Sequence, residues 1–79
     1  MIRLKNIERK NNLVECNIIP EDSKAQGKLV VDLKKKDIAS YTLPEGYEDC
    51  YGHVRHAMRA ILQDVQEGKL PKERLVMWY

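Results

Sequence analysis

The sequence predicts an α+β fold, in which a small antiparallel sheet of four to five strands carries one long amphipathic helix on one face. Two patterns along the chain predict this fold. Apolar and polar residues alternate through much of residues 1–43, whereas apolar residues recur every three or four positions through residues 47–65. These are the periods of a half-buried strand and of a helix. The 79 residues are expected to form a single domain, residues 1–79, with a small core and the order ββββαβ.

Four strands are expected in the first part of the chain. Ile7 breaks the alternation of the first segment, which indicates a bulge or the end of a strand. Asn11 and Asn12 predict the turn of a hairpin, because asparagine tolerates left-handed backbone conformations. The short connections between successive segments favour antiparallel pairing. The four predicted strand segments are residues 1–9, 13–19, 28–34 and 37–43.

A helix of about five turns is predicted to follow. Its apolar residues, from Tyr47 to Val65, all fall within one arc of a helical wheel. The sequence leaves two starting points open. The apolar pattern begins at Tyr47, but the helix could begin only at Asp49, because Gly52 weakens a helix interior and Asp49 is a good N-cap. At the other end, Gly68 stands where a residue in the left-handed conformation would terminate the helix.

The last eight residues, 72–79, are expected to form a fifth strand. Val76, Met77 and Trp78 stand together there, and termini that do not pack rarely carry so many large apolar side chains. If this strand runs parallel to the strand before the helix, the two form a right-handed crossover. The order of the strands within the sheet does not follow from the sequence.

The composition argues against several classes of protein. The net charge of +2 at pH 7 is modest, and no segment has the roughly 20 apolar residues of a membrane span or the apolar stretch of a signal peptide. Cys16 and Cys50 are too few for a disulfide scaffold and are expected to be reduced core thiols. Glycine-rich nucleotide motifs are also missing. We therefore expect a cytosolic protein with no cofactor and no membrane partner.

A segment near the helix start carries the residues that could perform chemistry. On a helical wheel, one polar stripe contains Asp49, His53, His56, Asp64 and Glu67. One interpretation is a divalent-metal site in which Cys50 or Asp49 joins His53 and His56, with a further ligand from elsewhere in the chain. Another is a general base, His53, oriented by Asp49. The spacing matches no recognised zinc motif, and no nucleophile is identifiable, so the pattern favours local pairing beside a packed helix and no enzyme is predicted.

One helix can cover only one face of such a sheet, which leaves the other face open. Contiguous exposed apolar patches mark interaction sites, and tyrosine and tryptophan are enriched at binding hot spots. We therefore predict a non-enzymatic protein-interaction or self-associating module, whose partner is another protein or a second copy of the chain. At least one of Tyr41 and Trp78 is expected to be exposed on the face away from the helix. The interface candidates are Val30, Tyr41, Leu43 and Trp78.

A nucleic-acid-binding domain is the alternative from a different class. Residues 1–43 contain nine Lys/Arg and six Asp/Glu, a net charge of +3, whereas residues 44–79 have a net charge of −1. Binding to phosphates weakens steeply as salt rises from about 50 to 200 mM, whereas an apolar dimer responds little. Salt dependence therefore separates the two hypotheses. The candidate phosphate contacts are Arg3, Lys5, Arg9, Lys10, Lys34, Lys35 and Lys36.

Overall fold

The computed structural model describes residues 1–21 and 23–77. One five-stranded sheet and one helix follow the order ββββαβ, which confirms the predicted α+β class. The fifth strand is present, with a length of three residues. The elements are β1 (Ile2–Lys10), β2 (Leu13–Pro20), β3 (Gly27–Asp32), β4 (Asp37–Thr42), α1 (Tyr51–Gln66) and β5 (Arg74–Val76).

The strands lie side by side in the order β4-β3-β2-β1-β5, and each neighbouring pair is antiparallel. Arg3 of β1, for example, pairs with Ile19 of β2 on one side and with Leu75 of β5 on the other. Strands β4 and β5 therefore point the same way but lie at opposite edges of the sheet. The chain crosses the whole sheet through α1, so the crossover suggested by the sequence joins strands that are not neighbours.

β1 contains a bulge at the position where the sequence breaks its alternation. The pairing with β2 shifts between Lys5 and Glu8, and Asn6 adopts a left-handed φ of 54°. The extra residue turns Ile7 back toward the core, where it is 5% exposed. The Ile7 N–H also donates to the C=O of Lys72, before β5 (N···O 3.0 Å). Of the two alternatives that Ile7 left open, the structure has the bulge and not the end of the strand, because β1 continues to Lys10.

Two hairpin turns meet at one end of the sheet. The first contains Asn11, which has a left-handed φ of 57°, as its residue type predicts. In the second, Oδ1 of Asp32 accepts a hydrogen bond from the backbone N–H of Lys34 (2.9 Å). The N–H of Leu33 donates to the C=O of Asn12 (N···O 2.8 Å). This hydrogen bond joins the two turns, so that their side chains share one end of the molecule.

The core lies between α1 and one face of β1, β2, β3 and β5. The helix contributes Val54, Ala57 and Ile61, each fully buried, which confirms the predicted core position of Ile61. In the described structure β4 contributes no buried side chain, and its Ile38 packs at the rim of the core. The sheet contributes Ile2, Leu4, Ile7, Val14, Cys16, Ile18, Leu29, Val31 and Val76.

Helix α1 begins later than the sequence suggests. Cys50 occupies the N-cap position without a side-chain capping bond, so the predicted N-cap role of Asp49 is wrong. The preceding residues form turns instead: the Tyr47 N–H donates to the C=O of Pro44, and the Cys50 N–H to that of Tyr47 (both 3.0 Å). Proline fixes its own φ and favours such a turn. At the other end, Gly68 has the predicted left-handed conformation, with φ 73°.

Candidate functional site

The sheet face turned away from α1, here called the outer face, carries many charged side chains. The Glu15 carboxylate on β2 lies 2.9 Å from Nζ of Lys10 and 3.7 Å from Nζ of Lys28, on the two neighbouring strands. The hydrogen bond from Lys10 lowers the pKa of Glu15, and the same bond raises the pKa of Lys10. Because the lysine side chains are exposed, these pairs contribute little to stability.

The interface candidate Val30 lies on this outer face, half-buried and paired with Glu15. Elsewhere on the same face, Ile19 and Leu75 lie on either side of Arg3 by register, and Leu75 is 48% exposed. Charged residues thus separate these apolar side chains. The outer face does not bring them together as the apolar interface that the sequence predicts.

The exposed Tyr41 lies on the opposite face. It pairs with Leu29, which is fully buried beneath α1, and directly paired residues point to the same face of a sheet. Its ring packs on that of Tyr51, the first residue of α1, with centroids 5.5 Å apart and an angle of 49° between the planes. Tyr41 is 41% exposed, as expected. Tyr41 is therefore not exposed on the face away from the helix, and the expectation that at least one of Tyr41 and Trp78 is exposed there depends on Trp78.

The remaining aromatic and apolar candidates have different outcomes. Leu43 is half-buried and packs against the core cluster, on the side of the helix. Trp78 lies outside the described residues. Tyr51, which is 43% exposed, was not predicted from the sequence, because it falls within the apolar arc of the helical wheel. The periodicity gives no sign that Tyr51 contacts the exposed Tyr41 of the edge strand.

β4 is an edge strand, and one of its residues directs its backbone groups away from the sheet. The N–H of Leu33 points toward β2, where it donates to Asn12. Backbone groups alternate in direction along a strand, so the even-numbered residues of β3, Val30 among them, point toward β4. Ser40 pairs with Val30 and therefore points back toward β3. The next residue, Tyr41, accordingly directs both its N–H and its C=O outward, where a further strand could bind them.

The start of this edge is closed by the chain itself. Oδ1 of Asp37 accepts the N–H of Ile38 (2.7 Å). A register shift opposite Val30 and Val31 then adds one residue to β4. The residues from 38 to 42 include neither proline nor a charged residue, which are common means of protecting an edge strand. The last part of β4, around Tyr41, is therefore its most accessible part.

Opposite charges flank β4 along the chain. Residues 34–36, three lysines, precede the strand, and the exposed acidic residues Glu45, Glu48 and Asp49 follow it. Within the described part of the chain, none of these six side chains forms a salt bridge. The Glu48 carboxylate instead accepts the N–H of Gly46 (3.0 Å). Both groups of charges are thus accessible to charges outside the chain.

The opposite edge strand, β5, is held to the helix by a partly buried ion pair. Asp64 of α1 is 3% exposed, and its Oδ1 lies 3.1 Å from Nη1 of Arg74. The predicted polar stripe had placed Asp64 beside the apolar face, but packing against β5 buries it. Asp64 Oδ2 and Arg74 Nε are buried without a hydrogen-bond partner in the described structure, which reduces the net gain from the pair. The pair fixes the second half of α1 on β5.

The residues of the predicted metal site occupy different environments. Asp49 is exposed in the turn before α1, whereas Cys50 is half-buried at the N-cap. Among the described residues, no group of three or more His, Cys, Asp and Glu side chains is placed to hold a metal ion. Burial lowers the pKa of His53 below its ordinary 6.5, and the ammonium group of Met1 and the neighbouring His56 lower it further. Protonation of His53 is thus disfavoured in the folded protein.

The candidate phosphate contacts spread over the length of the sheet. Arg9, Lys10 and the lysines at 34–36 share the end at which the two hairpin turns meet. Arg3 lies toward the opposite end, and Lys5 lies between them. Asp32 at the end of β3 and Asp37 at the start of β4 flank the three lysines of the turn. The acidic residues therefore lower the net positive charge at the end of the sheet where the basic residues are densest.

Comparison with models of protein families, with curated proteins and with solved structures found no match. In the part of the chain that the structure describes, no helix is both long enough and apolar enough to cross a lipid bilayer.

Proposed function

We propose that this chain is a non-enzymatic protein-interaction module that binds an extended segment of a protein partner along β4. The observation that carries this proposal is the outward direction of the Tyr41 N–H and C=O beside an exposed pair of tyrosine rings. A segment that adds to a sheet edge gains main-chain hydrogen bonds, and its alternating side chains provide selectivity. We also propose the cytosol as its location, as expected from the sequence.

The side-chain part of this binding site is the aromatic pair at the rim. Tyr41 and Tyr51 are 41% and 43% exposed and already hold each other in position. Tyrosine is enriched at hot spots because its large ring buries much area while losing little conformational entropy. An added strand would direct every second side chain toward these two rings. The site therefore favours an apolar or aromatic residue at that position of the partner.

The test is selection of a displayed library of extended peptides, each of about ten residues, on the purified chain. A segment of this length exceeds the usual strand of five to six residues. The variant Tyr41→Pro removes the outward N–H together with the ring, whereas Tyr41→Ala removes the ring alone. We expect selected peptides to lose binding to Tyr41→Pro and to weaken on Tyr41→Ala. Leu75→Ala is the matched control, since Leu75 is similarly exposed on the outer face at the other edge.

Peptides that bind all of these variants equally well would contradict binding at β4. Peptides that depend on Leu75 and not on Tyr41 would move the site to the outer face. Circular dichroism on each variant shows whether the fold is retained, so that a loss of binding is not mistaken for unfolding.

Nucleic-acid binding is a second proposal, favoured by the hydrogen bond between Leu33 and Asn12, which joins the turn beside Arg9 and Lys10 to the turn that contains the lysines at 34–36. Its test is the affinity for a short duplex measured between about 50 and 200 mM salt, where phosphate contacts produce a steep loss. A substitution of all three lysines at 34–36 by glutamine should then reduce the dependence of the affinity on salt. Weak binding whose affinity changes neither with the salt concentration nor with the substitution of the lysines would contradict this proposal.

A further inference from the structure

We infer that the segment bound by β4 is β4 of a second copy of this chain, so that two sheets join antiparallel about a two-fold axis near Tyr41. This inference rests on the proposed function, because it uses the same edge strand, and it names the partner.

Antiparallel pairing of two identical edge strands is a closed, two-fold arrangement in which both copies use the same surface. Tyr41 suits such pairing because its N–H and C=O both point outward. The N–H of each Tyr41 would then donate to the C=O of Tyr41 in the second copy, which is the pattern of a hydrogen-bonded antiparallel pair. One residue thus supplies a complete and self-complementary pair of hydrogen bonds.

The charges on either side of β4 favour this partner and this orientation. Antiparallel pairing places the lysines at 34–36 of one copy beside the acidic segment 45–49 of the other, and it does so at both ends of the shared strand. Glu45 follows the last residue of β4 by three positions, so pairing centred on Tyr41 sets the acidic segment level with the lysine turn of the second copy. Parallel pairing would instead set like charges against each other.

The exposed rings are placed so that the second copy covers them. Tyr41 and Tyr51 lie on the helix side of β4, next to the proposed axis. The two-fold axis would bring both pairs of rings to the same side of the joined sheet. After joining, the free edges of the assembly are the two β5 strands, which are three residues long each, and short edges are a common protection against further pairing.

The experiment reverses the flanking charges in two sets. The first set is Lys34→Glu, Lys35→Glu and Lys36→Glu, and the second set is Glu45→Lys, Glu48→Lys and Asp49→Lys. Sedimentation equilibrium of the full chain, from micromolar to millimolar concentration, gives the dissociation constant of the dimer. We expect the unsubstituted chain to form a dimer. Each set alone should raise the dissociation constant by about 10- to 100-fold, because it puts like charges at both ends of the interface.

Combining both sets in one chain is the matched control. The combined variant has the same net charge of +2 as the unsubstituted chain, and every proposed pair regains opposite signs, so dimer formation should return. An equimolar mixture of the two single sets should associate for the same reason. A combined variant whose dimer has a dissociation constant as high as that of either single set would overturn the inference.

Cysteine crosslinking tests the position of the axis independently of charge. In a background with Cys50→Ser, Tyr41→Cys should form a disulfide between copies under mild oxidation, since the Cα atoms of a hydrogen-bonded antiparallel pair lie about 5.5 Å apart. Leu75→Cys, at the opposite edge of the sheet, should crosslink far less. Equal crosslinking of the two variants would overturn the placement of the axis.

These outcomes separate the inference from the function beneath it. If the unsubstituted chain is strictly monomeric at millimolar concentration, yet displayed peptides bind it in a manner that depends on Tyr41, self-association is wrong and strand binding stands. If a dimer forms but survives both Tyr41→Pro and charge reversal, another surface joins the copies, and the inference that two β4 strands pair is wrong, whereas strand binding is judged by the displayed peptides alone.

Discussion

The two edges of the sheet differ in how the rest of the chain covers them. Strand β5 has three residues, and the partly buried pair of Asp64 and Arg74 ties it to the helix, with Nη1 and Oδ1 3.1 Å apart. Strand β4 has six residues, none of them buried. Its contact with the beginning of α1 includes the ring contact of Tyr41 and Tyr51, which leaves both rings exposed.

This difference shows which edge of the sheet the chain packs firmly against its helix. The second half of α1 carries a polar anchor to β5, whereas the side chains at the β4 edge remain largely exposed. A small domain has little apolar surface to cover every edge. An edge that is covered contributes to folding, and the edge that is left open with aromatic side chains beside it is the one that we propose to bind a partner. The following experiments test that division, beginning with the largest expected effect.

Truncating a side chain of the core between the helix and the sheet should have the largest effect on stability. Ile61 is fully buried between helix and sheet, so Ile61→Ala should lower the free energy of unfolding by about 2–5 kcal/mol. Urea denaturation followed by circular dichroism measures the change. A loss below about 0.5 kcal/mol, the size usual for surface positions, would show that Ile61 is not part of the core.

Breaking the covered edge should come second. Asp64→Ala leaves the Arg74 guanidinium without its partner, and we expect a loss of about 2–4 kcal/mol, less than for a wholly buried pair because Arg74 is one third exposed. The double substitution of Asp64 and Arg74 by leucine should be less damaging than the single one, because it leaves no buried charge behind. If the double leucine substitution costs as much as Asp64→Leu and Arg74→Leu added together, the pair does not act as a unit.

The open edge should tolerate a proline that an internal position does not. Tyr41 directs its N–H outward, whereas Ser40 is predicted to donate its N–H to β3. Tyr41→Pro should therefore lower the free energy of unfolding by only about 1 kcal/mol. Ser40→Pro removes a hydrogen bond of the ladder and should lower it further. A reversed order of the two variants in urea denaturation would show that the outward direction is assigned to the wrong residue.

The smallest expected effect is a difference in reactivity between the two cysteines, which differ in burial. Cys16 lies under the centre of the sheet, where burial raises the pKa of its thiol from 9.0 to about 12. Because the thiol is harder to ionise when folded, its contribution to stability is complete below pH 9 and declines as the pH rises toward 12. Cys50 is only half-buried. Iodoacetamide at pH 8, read by peptide mass spectrometry, should label Cys50 well before Cys16; equal rates would contradict this burial.

The sequence by itself determined the features that depend on neighbouring residues. The alternation of apolar residues placed four strands, and the change of period placed the helix close to its observed bounds. The bulge at Ile7 and the left-handed residues Asn11 and Gly68 were also predicted, because a side chain or its absence acts on its own backbone. Of the candidate site, the exposure of Tyr41 could be predicted, but the face on which it lies could not.

Only the tertiary structure decided which distant segments lie together. The pairing of Ile2 with Val76 puts β5 beside β1 and leaves β4 at the far edge, and no local period in the sequence encodes that order. The same packing buries Asp64 against Arg74, although both are charged and stand ten residues apart. It also turns Tyr41 toward the helix, because register, and not residue type, sets the face of a strand residue. The open β4 edge beside the exposed tyrosine rings therefore follows from the order of the strands in the sheet.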